Sequence, residues 1–224
     1  MHAYNASEIF SQEELLRFPV LSKRNHFTIQ LHNARRLHYD LRVHCSAVNG
    51  TYSWAIPRGL VDLKKGERRL AVQTSIHEQA YSVFEGVLGP GYGAGGVLLW
   101  DVGLWTITPK EVETTDEEEG EAEEEEALRY ESILRADLAK GHLNLVLHGR
   151  KLETCVLSLI LPRGASTDWL VLAKSDVQTR GAVGRSVKSG KTLLEVEGQR
   201  VLDSFVVATK GKRKRPPSPS PSPD

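Results

Sequence analysis

The segment QLHNARRLHYDLRV carries two imidazoles (His32 and His38), a carboxylate (Asp40) and a guanidinium (Arg42) within eleven positions. Successive side chains of a strand point to opposite faces. Across LHYDLRVH that alternation sends Leu37, Tyr39, Leu41 and Val43 one way and His38, Asp40, Arg42 and His44 the other. In the preceding FTIQLH, Phe27, Ile29 and Leu31 share an apolar face, and Gln30 and His32 a polar one. If the short NARR connection closes a hairpin, Gln30, His32, His38, Asp40 and Arg42 meet on one surface. Two imidazoles and a carboxylate with open positions form a mixed N/O ligand set that suits manganese, iron or zinc. A metal so held polarises phosphoryl oxygens and acidifies a water. Arg42, roughly 6–7 Å beyond Asp40 on the same face, suits a bidentate grip on phosphate. On spacing alone, a solvated strand face with two unrelated histidines is the blander reading and the favoured one.

The elements that must position these groups read mostly as strands. FTIQL, RLHYDLRVH, TYSWAI, RRLAVQT, GVLLW, LWTIT, HLNLVLHG, LETCVLSLIL, WLVLAK, LLEVE and SFVVAT are short, β-branched or aromatic, and bounded by turn residues. So many short strands with little helix predict a mainly β fold, a β-barrel or a sandwich with short flanking helices. SEIFSQEELL (7–16) reads as a short helix, with Ser11 and Glu14 at capping-box spacing and Pro19 ending it. A second helix is expected over 127–140. Residues 1–24 then form a helical arm, 25–209 the barrel domain, and 210–224 a basic Ser-Pro tail that does not pack. GPGYGAGG is a loop, and no GK[ST] follows it to make a P-loop. The four tryptophans, and Cys45 and Cys155, read as core or rim residues.

The 224 residues contain 29 basic and 29 acidic side chains. Eleven acidic residues and no basic one lie between Glu111 and Ala127, so the rest of the chain is strongly basic. The acidic run reads as a disordered insert (111–127), and the basic remainder favours a polyanionic partner. No apolar run approaches the ~18 residues of a membrane span. The polar N-terminus lacks the pattern of a secretion signal or transit peptide. Two unpaired-looking cysteines favour a reducing compartment.

The ordered blocks QLHNARRLHYDLRV, SWAIPRG, RRLAV, FEGVL and YGAGGVLLWDVGLW, followed by HLNLVLHGRKL and WLVLAKSD, resemble the 3′-phosphoesterase domain of the bacterial and archaeal DNA ligase D family, in detail over roughly 26–108. The resemblance implies a compact β-barrel and a manganese-dependent (Mn2+) enzyme, with Zn2+ or Co2+ as substitutes, that trims 3′-terminal ribonucleotides and removes the 3′-phosphate from DNA or RNA 3′ ends, primer–template duplexes among them. It implies His32, His38 and Asp40 as metal ligands, Gln30 as a supporting polar residue and Arg42 as a phosphate contact. It further implies Arg58 (where the family usually has lysine), Arg69, His77 and Tyr81 as catalytic or phosphate-binding residues. The family's Arg, Asp and Glu ahead of the barrel, which serve the ribonuclease step, find no clear match, with Arg24 and Glu8 as stand-ins. No polymerase or ligase sequence accompanies the domain. GKRKRPP with its Ser-Pro repeats suggests nuclear import in a eukaryote, with cytoplasm as the alternative. Rival readings are a non-catalytic nucleic-acid-binding module and a phosphoesterase of RNA or cyclic-phosphate ends.

Overall fold

The computed structural model describes residues 4–91, 93–107 and 119–198, with the side chains of 119–123 left aside. Nine strands form among them: β1 His26–Asn33, β2 Leu37–Cys45, β3 Gly50–Ile56, β4 Arg68–Gln73, β5 Gly86–Leu88, β6 Gly95–Thr106, β7 His142–Gly149, β8 Thr154–Ile160 and β9 Asp168–Ala173. Neighbours run antiparallel in the order β1-β2-β3-β4-β9-β8-β7-β6, and β6 returns to pair with β1. Eight strands therefore close into a barrel, with β5 attached to β6. GVLLW and LWTIT, read as two strands, are one twelve-residue strand.

Strand alternation builds the interior. Phe27, Ile29, Leu41, Val43, Ile56 and Leu98 point inward together with all four tryptophans, which are at most 2% exposed. The two cysteines are buried free thiols. A second apolar cluster lies outside the wall, where Phe10, Phe18 and Leu21 of the N-terminal arm cover Leu99 and Val102 of β6. β6 can serve both clusters because of a bulge: Ile29 faces Asp101 and Gln30 faces Leu99, leaving Trp100 as the extra residue. The buried Asp101 carboxylate accepts backbone N–H bonds from Val102, Lys151 and Leu152 at 2.8–2.9 Å. Those bonds tie β6 to the turn between β7 and β8. Burial raises the Asp101 pKa against the opposing pull of these bonds.

Several helical expectations change. Residues 7–16 are not one helix but a 3₁₀ turn, Ala6–Glu8, followed by α1, Gln12–Arg17. The break occurs because Ser11 caps α1 and Glu14 reaches back to the Ser11 N–H. Pro19 does more than end α1: it opens the 3₁₀ turn Pro19–Ser22. The acidic insert is not wholly irregular. Helix α2 spans Glu119–Lys140 and takes in the glutamates from Glu119 to Glu126. Glutamate is a good helix former, and carboxylates near a helix N-terminus are favoured by its dipole. Ala127 and Leu134 bury against the barrel, and Glu131 accepts the Ser46 N–H at 2.7 Å. The rest of the insert, 111–118, lies outside the described residues. LLEVE is not a strand: residues 193–198 form a helical turn. Thr192 caps it, exchanging hydrogen bonds with Glu195. SFVVAT and the tail lie outside the described residues.

Candidate active site

The β1–β2 register pairs His32 with His38, Gln30 with Asp40 and Thr28 with Arg42. The polar face anticipated from strand alternation therefore forms, on the outside of the barrel. It is not a solvated face. The 3₁₀ turn Gln79–Val83 and the loops around it cover it, and His32, Asp40 and Arg42 are only 7%, 6% and 2% exposed. Charged groups buried this deeply persist only when paired, and these are paired.

One ligand atom from each of His32, His38 and Asp40 lies within 4.8 Å of the other two. His32 Nδ1 is 3.4 Å from one carboxylate oxygen of Asp40, and His38 Nε2 is 3.4 Å from the other. The opposite ring nitrogens are engaged elsewhere: His32 Nε2 meets the Gly93 carbonyl and His38 Nδ1 the Arg36 carbonyl, both at 2.8 Å. A carbonyl only accepts, so each of those nitrogens carries the hydrogen. That tautomer leaves a lone pair on His32 Nδ1 and on His38 Nε2, aimed at the space beside Asp40. Burial alone would raise the Asp40 pKa, but the facing nitrogens of His32 and His38, which donate to the carboxylate when those rings are protonated, and the charge of Arg42 hold it far below the usual carboxylate range. His38 is shifted upward, chiefly by its bond to Asp40. An ionised carboxylate and two correctly oriented imidazoles are a donor set that fits a divalent cation.

Arg42 is held on three sides. Its Nε donates to Gln30 Oε1 at 2.5 Å, Nη1 to Ser53 Oγ at 3.1 Å, and Nη2 to Asp40 at 3.1 Å. Its guanidinium also lies over the Tyr81 ring, 4.9 Å from the centroid. Gln30 spends its amide on the covering segment, donating to the carbonyls of Tyr81 and Phe84 at 3.0 and 2.9 Å. His77 is pinned through its backbone, exchanging hydrogen bonds with Thr51 at the start of β3. Its ring stacks on Tyr81 and Tyr81 on Phe84, at 5.7 and 5.5 Å between centroids. Burial, then the Arg42 charge, push the His77 pKa down, so its imidazole is neutral at pH 7. A groove of about 940 Å³ joins His32, His38, Asp40, Arg42, His77 and Tyr81.

The remaining arginines fall elsewhere. Neither Arg58 nor Arg69 lines that groove. Arg69 points the same way as the core residue Ala71, and its Nη1 donates to the carbonyls of Arg58, Gly59 and Val61. It fastens a loop. The alternate face of β4 carries Arg68, Leu70 and Val72, of which Val72 lines the groove. Arg24 contacts Glu124 and Ser46, and Glu8 bonds Asn5, so the two stand-ins do not converge on His32, His38 and Asp40. Ser53 was missed in the sequence, although alternation in TYSWAI places Thr51, Ser53 and Ala55 on the face opposite Arg42. The carbonyls of Arg36 and Gly93 had no signal at all, since every residue has one.

The family model described as DNA Ligase D 3′-phosphoesterase domain matches residues 30–158. The chain is 34% identical over 198 residues to the multifunctional non-homologous end joining protein LigD of Pseudomonas aeruginosa, covering 83% of this chain and 20% of that protein. It is 44% identical over 88 residues to the multifunctional non-homologous end joining DNA repair protein LigD of Mycobacterium tuberculosis, covering 39% and 11%. Against the LigD of Mycolicibacterium smegmatis it is 39% identical over 108 residues, covering 46% and 14%. The chain thus spans about a fifth or less of the length of these bacterial relatives.

Proposed function

Because the chain belongs to the DNA ligase D 3′-phosphoesterase family, we propose that it is a divalent-metal-dependent phosphoesterase that removes 3′-phosphates from nucleic-acid ends during end-joining repair. The observation that carries this reading is the meeting of His32, His38 and Asp40 with Arg42, His77 and Tyr81 in one groove. His32 Nδ1, His38 Nε2 and Asp40 would hold the cation, with Mn2+ the first candidate and Zn2+ or Co2+ next. The bound cation supplies Lewis-acid polarisation of a phosphoryl oxygen and a more acidic water. Gln30, Ser53 and Tyr81 fix Arg42, which in turn fixes Asp40 and offers its remaining N–H groups to the phosphate. Neutral His77 donates a hydrogen bond to the phosphate or takes the proton of the attacking water. Attack of the water oxygen on phosphorus breaks the bond to the 3′ oxygen, which takes up the proton the water gave up and leaves as a hydroxyl, releasing inorganic phosphate.

Removal of 3′-terminal ribonucleotides is the less supported part of the proposal, since Arg24 and Glu8 do not converge on the site. The basic run GKRKRPP motivates a nuclear, eukaryotic setting, testable by following the tagged chain with and without residues 210–224 in cultured cells. The enzymatic reading is tested on matched oligonucleotides ending in 3′-phosphate, 3′-ribonucleotide or 2′,3′-cyclic phosphate, each with Mn2+, Zn2+ or Co2+. Phosphate release from the 3′-phosphate end is the expected result. Cleavage of the cyclic end alone would favour RNA-end chemistry, and retardation of every end without release would leave a binding module.

A further inference from the structure

The cations that meet the substrate beyond its terminal phosphate can be identified by asking which groove arginines are free to do so. Arg42 is not. Three of its five N–H donors are engaged, it is 2% exposed, and Asp40 balances its charge. Arg69 is spent on loop carbonyls. Arg35 and Arg36, on the turn between β1 and β2, differ. Both line the groove and are exposed to solvent, and among the described residues neither guanidinium has a hydrogen bond or an ion pair. They precede His38 by three and two residues, so their Cα atoms lie within about 11 Å of its own. The turn itself is held: the Arg36 carbonyl accepts the His38 Nδ1 hydrogen, and Asn33 donates to Glu197 at 2.7 Å. Two uncommitted guanidinium groups thus stand on a fixed turn at one end of the cation site, in a groove far larger than one phosphate. Val72, Leu88 and Ala94 give another part of that groove an apolar lining.

From this placement we infer that Arg35 and Arg36 bind the internucleotide phosphate next to the reacting end, so that the groove selects polynucleotide ends over a lone 3′-mononucleotide. The inference rests on the proposed end-directed function for the identity of the polyanion. Each phosphate neutralised contributes a salt slope of ~0.7 on single strands, and the two arginines share one such phosphate. The test measures anisotropy of a fluorescent 3′-hydroxyl oligonucleotide, which cannot turn over, bound to the full chain with Mn2+ over a series of potassium chloride concentrations. R35Q/R36Q is expected to lower the slope of log K against log salt by about 0.7, whereas R35K/R36K retains it because the charge is kept. On a 3′-phosphorylated oligonucleotide, R35Q/R36Q is expected to raise KM at least tenfold (on the order of one factor of ten per 1.4 kcal/mol of lost binding), with a much smaller change in kcat. Retained Mn2+ uptake by calorimetry shows that the variant is folded, since the His38 bond is to backbone. An unchanged slope and KM overturns the clamp even if the wild type releases phosphate. A wild type that binds with the expected slope but releases no phosphate overturns the phosphoesterase reading and leaves the clamp standing.

Discussion

Asp40 sits where two imidazoles and a guanidinium converge, so its charge balances Arg42 and would also serve the proposed cation. Replacing it with Asn leaves Arg42 buried without its counter-charge, a change of about 3–5 kcal/mol in comparable cases. Chemical denaturation of D40N is expected to show a loss of that order, and isothermal calorimetry no Mn2+ uptake. The Gln30 side chain spends its hydrogen bonds on Arg42 and on the covering segment, which it bridges. Gln30→Ala is expected to retain Mn2+ binding while phosphate release falls roughly 10–100-fold, as with other supporting-shell changes. Further along the same face, His26 and His44 stack at 4.2 Å, fully buried. Burial pushes both below the ordinary histidine value; in His26 the neighbouring His44 adds to it. Above about pH 6.5 both are neutral, folded or unfolded. Below that the unfolded chain gains protons that the folded chain refuses, so stability falls as pH falls from about 6.5 toward the folded values. His38 works in the opposite sense, its raised pKa adding stability at low pH that is lost as pH rises. Comparing denaturation midpoints of wild type and His26→Phe between pH 7.5 and 5 isolates the pair. The variant is expected to lose less stability on acidification, and an identical pH slope would remove the pair from the explanation.

The elements hold these residues through a few close backbone approaches. A Cβ on Gly149 would fall 2.1 Å from Asp101 Oδ2, within the carboxylate that ties β6 to the turn between β7 and β8. Gly149→Ala is therefore expected to cost about 2–4 kcal/mol, from overpacking plus weakened bonds to a buried carboxylate, measured as a lower denaturation midpoint. No change would mean that this turn is free to shift. The period-two alternation of β1 and β2 made their polar face legible in the sequence, because that period belongs to the backbone. It could not tell a solvated face from a covered one: the covering 3₁₀ turn, Gln79–Val83, leaves no periodic trace. The end of the acidic insert and the LLEVE segment were misread for a related reason. Composition marks charge and β-propensity, but capping at Thr192 and packing of Leu134 and Glu131 decide for helix. Arg58 and Arg69 matched a family motif, yet motif order does not say which face of β4 a side chain takes, and the observed face turns Arg69 toward a loop.

At the scale of the molecule, a closed barrel with an arm packed outside leaves one wall free to carry chemistry. The proposed metal ligands lie on neighbouring strands of that wall, and His77 is bonded to the strand beside them, so the ligand set is built on the sheet and the covering segment is tied to it. Such a site is expected to be formed before any ligand arrives. The whole account depends on a cation at His32, His38 and Asp40 being needed for release of a 3′-phosphate. The most direct measurement is phosphate release from a 3′-phosphorylated oligonucleotide by chelator-stripped protein, with Mn2+ then titrated back, for wild type and His38→Ala. The account predicts no release from stripped wild type, recovery that saturates with Mn2+, and no recovery in the variant. Full activity of the stripped protein, or equal recovery in His38→Ala, would contradict it.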